Sequence, residues 1–177
     1  MRESLPYKED LVGFAKSFRR RRTFQRWADQ SLSKAEKMLF VGCFFMRKLM
    51  ECNKVTDECA RSTATILRAA VRRTREISAF ARDDLIDDLD AVEWERGTVD
   101  VHQVCDKVIH SWWIMPMHER KGLGGFVMTT DRQKNKELWL VPTQTIVAMF
   151  ERFGRNTVSR IHAKRDAGGR LTHWQAT

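Results

Sequence analysis

Nine consecutive residues, Met38 through Met46, carry no polar side chain. Such a run has to leave water, yet it is about half of what a membrane crossing needs. Ser33 and Glu36 stand ahead of it as an S-x-x-E capping box, and Arg47 and Lys48 follow it, as suits a helix C-terminal half. An all-round apolar helix of this length belongs at the centre of a bundle. The rest of the chain can surround it: 177 residues, 42% apolar and 31% charged, suit one domain with a real core and argue against wholesale disorder. No apolar run reaches membrane-spanning length, and the N-terminus MRESLPYKED lacks the apolar stretch of a signal peptide. A cytoplasmic protein that does not enter membranes is expected.

Helical spacing dominates the first 110 residues. A first helix is expected over 8–29, with Phe14 and Phe18 four apart and Phe24 and Trp27 three apart. Thr56 starts a third helix running to about Ala81, with Cys59, Ile66, Ala70 and Ile77 on one side. Asp83 or Asp84 caps a fourth that buries Leu85, Leu89 and Val92 and is broken by Gly97. Asp100 caps a fifth, Val101 to His110, with Val101, Val104, Cys105 and Val108 inward. The period then changes. Trp112 to Met115 is a short bulky run, and Pro116 confines it to a sheet edge. Adjacent tryptophans in a strand point to opposite faces, so Trp112 and Trp113 predict a β-unit covered on both sides. Phe126–Thr130 and Glu137–Val141 read as a hairpin, and Thr143 opens a helix that buries Ile146, Val147, Phe150 and Phe153 before Gly154 stops it. The expected fold is α+β: a mainly helical bundle of about five helices (residues 1–110), a small antiparallel β-hairpin unit plus a further helix packed on it (111–154), and a basic, loosely packed end (155–177) with a short helix near Val158 to Lys164.

Charge is unevenly spread. The net is +9, from 32 Lys and Arg against 23 Asp and Glu, yet residues 81–110 hold three basic and nine acidic side chains. A basic chain points to nucleic acid, an anionic surface or an acidic partner. The acidic segment 83–90 can answer a basic face of the same chain, or of a second copy in a homo-oligomer. On the expected third helix Arg61, Arg68, Arg72, Arg75 and Arg82 fall within an arc of about 80°, a stripe about 31 Å long. Guanidinium forks in a row match a phosphate backbone. Arg19, Arg20, Arg21 and Arg22 add a second basic block, which can form a phosphate-binding knob with Arg26.

Catalytic signatures are weak. Asp106 and His110 stand four apart on one helix, where a carboxylate can orient an imidazole as a general base. His118, Glu119, Asp131 and Glu137 lie in or beside the hairpin, and any three converging can hold a divalent metal for phosphodiester chemistry. Arg96-x5-His102 is similar to the R-x4–6-H element of the HEPN-type ribonucleases, helical bundles in which that pair would form a metal-independent RNA-cleaving site. Arg155 and His162 share the spacing, and composition alone yields about two such pairs. The cysteines, Cys43, Cys52, Cys59 and Cys105, form no C-x-x-C pair and lack zinc-ligand spacing, so free thiols, no metal and no cofactor are expected.

The reading that follows is a non-enzymatic binding module, or an accessory subunit beside a nucleic-acid-handling partner, that meets nucleic acid through an arginine-rich surface. A HEPN-like or metal-assisted nuclease using Arg96, His102, Asp106 or His110 is the second reading. A self-associating structural protein is the third.

Overall fold

The computed structural model describes residues 3–22, 29–71, 93–119, 122–134, 136–165, 168 and 171–177. Its organising element is a five-stranded antiparallel sheet, which corrects the expected mainly helical bundle with a small hairpin unit: the strands are more extensive than a hairpin. The elements run α1 (Leu5–Arg21), α2 (Asp29–Glu51), α3 (Asp57–Ala60), β1 (Thr63–Ala70), β2 (Glu95–Asp100), α4 (Val101–Ile109), β3 (Ser111–Glu119), β4 (Gly122–Thr130), β5 (Glu137–Pro142), α5 (Thr143–Arg155), β6 (Ile161–Arg165) and β7 (Leu171–Ala176). The sheet order is β2-β1-β5-β4-β3, and β6 and β7 form a separate pair.

The expected long third helix is overturned. Thr56 does cap a helix, its side chain accepting from the Cys59 N–H, but that helix lasts one turn. Ser62 then folds back on the Cys59 carbonyl through both its N–H and its hydroxyl, and the chain extends. Thr63, Thr65 and Ile66 are β-branched, and the alternate positions Ala64 and Ile66 bury against the helices. Pairing settles the matter: Thr63 to Arg68 face Asp100 to Glu95 of β2, and Leu67 to Ala70 face Leu140 to Glu137 of β5. Gly97, expected to break a helix, sits inside β2 opposite Ile66. The expected fourth helix at Leu85, Leu89 and Val92 lies outside the described residues.

One sheet face carries the main core. Ile66, Val99, Phe126, Met128, Trp139 and Val141 meet Val104, Cys105 and Val108 of α4 and Ile146, Phe150 and Phe153 of α5. α1 and α2 pack on these helices. α2 buries one stripe only, Leu39, Cys43, Met46 and Leu49, while Phe44 is 49% exposed, so the apolar run is not surrounded on all sides. The opposite sheet face bears a second cluster of Trp113, Val127, Leu138 and Leu140. Trp112 packs against the same cluster as Trp113, contrary to strict alternation. The β3–β4 register shifts between Ser111 and Trp113, which leaves Trp112 as an extra residue and re-aims its ring. β3 is an edge strand, so Pro116 leaves no ladder position unpaired.

The C-terminal region also departs from expectation. The stretch expected to be a short helix ends in β6, which pairs with β7. The Thr177 carbonyl accepts from the Ser159 and Arg160 N–H groups, and the Ala176 N–H donates to Asp57 Oδ1 at 3.3 Å. Among the described residues no helix is long and apolar enough to cross a membrane.

Candidate functional site

Because α4 buries Val101, Val104, Cys105 and Val108, its other side must present Gln103, Asp106, Lys107 and His110. That side forms one wall of a cleft of about 850 Å³. Arg68 of β1 and Glu137 and Trp139 of β5 make the floor, and the β4–β5 turn supplies Thr130 to Gln133. Arg68 and Trp139 are cross-strand partners.

Trp139 organises the charges. The Arg68 guanidinium lies over its ring at 4.8 Å from the centroid, and the Lys107 ammonium lies over it at 4.4 Å. The Trp139 Nε1–H donates to Glu137 Oε2. Lys107 Nζ is 3.7 Å from that same oxygen and donates to Gln133 Oε1. Lys107 is 5% exposed, and burial holds its ammonium below the ordinary lysine value, with Glu137 working in the other direction. Arg68 Nε is buried and makes no hydrogen bond; at 3.8 Å from Glu137 Oε1 it has a charge contact but not a bonded one.

Asp106 sits on the rim. Its carboxylate takes Arg47 Nη1 at 2.8 Å and His102 Nδ1 at 3.1 Å. It therefore engages the histidine four residues before it, while His110 contributes only a backbone N–H to the Asp106 carbonyl. Asp131 pairs with Lys134 at 2.7 Å. Of the acidic and histidine candidates, Asp106, His110, Asp131 and Glu137 reach this one cleft, and His118 and Glu119 stand on β3 away from it. Among the described residues no three His, Cys, Asp or Glu side chains converge as metal ligands do.

Arg96 points elsewhere. It lines a second groove of about 560 Å³ where β5 passes into α5, and His102 lines neither cavity. Ser62, Thr63 and Thr65 of the β1 region form one side of this groove, and Gln144, Thr145 and Arg152 of α5 the other. The Thr145 hydroxyl donates to the Thr65 carbonyl at 2.8 Å and ties the two sides together. Among the described residues no carboxylate lines this groove. Arg96 and Arg152 are exposed, and neither has an ion-pair partner among the described residues.

Arg61 and Arg68, the two described members of the expected arginine stripe, do not share a helix. Arg61 closes the one-turn α3 and is exposed, whereas Arg68 is on β1; Arg72, Arg75 and Arg82 lie outside the described residues, as does the acidic segment 83–90. Of the α1 block, Arg19 binds Glu151 at 2.7 Å and Arg21 donates to the Ser31 carbonyl at 2.9 Å, so part of that knob serves the fold. Arg20 and Arg22 are exposed. Sequence reading missed Lys107, Arg132, Trp139 and Arg152. The polar spacing 103, 106, 107, 110 on α4 was the available signal for the first cleft. No family model matches the chain, and neither a curated protein nor a solved structure does.

Proposed function

We propose that the protein is a non-enzymatic nucleic-acid-binding module, acting alone or as a subunit beside a nucleic-acid-handling partner, and that it holds the phosphate backbone in the groove of Arg96 and Arg152. The observation that carries this reading is the groove itself: among the described residues, two arginines without acidic partners share a lining of apolar, hydroxyl and amide side chains in which no carboxylate stands. Guanidinium forks take phosphate oxygens in pairs, and the Thr63 and Thr65 hydroxyls and the Gln144 amide add donors without opposing charge. The net charge of +9 favours the same ligand at longer range.

Fluorescence anisotropy with labelled single-stranded RNA and duplex DNA over a salt series tests the reading. Each phosphate contact contributes about 0.7 to the slope of log K against log salt for a single strand and about 0.9 for duplex DNA. The double variant Arg96→Gln, Arg152→Gln should therefore lower the slope by about 1.4 to 1.8, with little change in sequence preference. Both side chains are exposed, so the fold should survive. Absence of binding at low salt refutes the function, and a slope unchanged in the double variant refutes the groove.

A further inference from the structure

The cleft beside Trp139 is a different kind of place from the arginine groove. Counted residue by residue it looks balanced, with Arg68, Lys107 and Arg132 against Asp106, Asp131 and Glu137. The ion pairs show otherwise. Asp106 is paired with Arg47, which it shares with Glu51, and Asp131 with Lys134, and neither of those two cations is among the described residues that line the cleft. Glu137 alone is answered from inside, by Lys107 and more distantly by Arg68. Two carboxylates are thus compensated from behind, and among the described lining residues Arg68, Lys107 and Arg132 stand against the one remaining carboxylate, Glu137. Arg132 is exposed with no acidic partner among the described residues, and His110 is exposed at the end of α4.

We infer that this cleft binds a phosphomonoester: the terminal phosphate of a small organic phosphate or of a nucleic-acid strand. The two guanidinium groups come from separate elements, β1 and the β4–β5 turn, and can take different oxygens of a tetrahedral dianion. Arg68 lies over Trp139, its Cζ 4.8 Å from the ring centroid, and its side chain is 40% exposed, so it can be reached by a ligand. Lys107 acts through its field, because Gln133, Glu137 and the Trp139 ring already surround its ammonium. Glu137 is held by the Trp139 N–H and Lys107, so its charge is compensated where the phosphate would lie. A cavity of about 850 Å³ is far larger than a lone phosphate, and Gln103 is left on its wall to meet the attached group. A phosphate with an organic substituent fits both facts.

This inference does not depend on the Arg96–Arg152 groove, and calorimetry can separate the two. The probes are inorganic phosphate, a nucleoside 5′-monophosphate, and one oligonucleotide in 5′-phosphorylated and 5′-hydroxyl forms. Saturable binding of the monophosphate is expected, weakened about tenfold or more by Arg132→Gln, which lies on an exposed turn and should leave the fold intact. Arg68→Gln should weaken it similarly, and Arg96→Gln with Arg152→Gln should leave it unchanged. A preference for the phosphorylated oligonucleotide that Arg132→Gln removes assigns a strand end as the source; tight binding of the mononucleotide without that preference assigns a free small molecule. Failure of every phosphate probe to bind at millimolar concentration overturns the inference. So does an affinity that neither Arg132→Gln nor Arg68→Gln alters.

Discussion

Gly42 should accept a methyl group poorly. It lies in α2 where the Phe150 ring of α5 crosses, and a Cβ there would stand 2.2 Å from Phe150 Cζ and 2.8 Å from each Cε. Unstrained carbon contacts begin near about 3.5 Å, so the ring would have to retreat by more than about 1 Å. It has little room to do so. Phe150 is fully buried, with the Phe14 ring centroid at 6.3 Å and that of Phe18 at 6.0 Å. Overpacking of this kind costs about 1–3 kcal/mol, and the severity of the contact places Gly42→Ala at the upper end. Alanine regains about 1 kcal/mol of helix propensity over glycine. The net expectation is a loss of about 1–2 kcal/mol, which for a chain of this size lowers Tm by about 2–8 °C. The control is Phe150→Leu, which removes the ring atoms that clash. In that background Gly42→Ala should be neutral or stabilising by up to about 1 kcal/mol, because propensity is all that remains. Urea melts of the four proteins give the coupling directly, and the separate cost of Phe150→Leu cancels from the cycle. A stabilising Gly42→Ala in the wild type, or an equal effect in both backgrounds, would refute the close crossing of α2 and α5.

Thiol labelling checks the same packing from another side. Burial pushes the Cys59 thiol up to about 11, and a hydrogen bond to Cys105 together with burial raises Cys43 well above its ordinary value. At pH near 8 only the half-buried Cys52 should react in the native protein, against all four cysteines in denaturant, and fast native labelling of Cys43 or Cys105 contradicts the α2–α4 contact. Lys107 gives a pH signature. Its folded-state value lies below the usual 10.5, so between the two values the unfolded chain binds more protons. Stability from this group is complete above about 10.5 and is lost as pH falls through the lowered folded value. Urea melts between pH 8 and 11 should show a gain on the alkaline side that Lys107→Met lacks, and parallel curves for the two proteins would dismiss the buried ammonium.

What the sequence reveals and what it hides divide along one line, the distance to the partner that decides each element. α4 and α5 were legible because their information is local: apolar positions recur at helical spacing within a dozen residues, and those same positions are buried. The β4–β5 hairpin and the edge position of β3 were legible from a polar turn and a proline. β1 was not. Its Ala, Leu and Arg residues favour a helix, and its strand character depends on β2, about thirty residues away, and β5, about seventy away. The site inherits this division. Asp106, Lys107 and His110 share a cleft wall for a local reason, the polar face of α4. Arg68 reaches the same cleft for a non-local one: register sets it opposite Trp139, a residue that no spacing within β1 could single out. On a helix Arg68 would belong to an outward stripe of like charges; on β1 it is pressed on an indole beside Glu137. Its conversion from surface cation to organised cleft residue is a product of strand pairing. A substitution that shifted the β1–β5 register by one residue would therefore turn Arg68 to the opposite sheet face and dismantle the cleft, without touching any residue of α4.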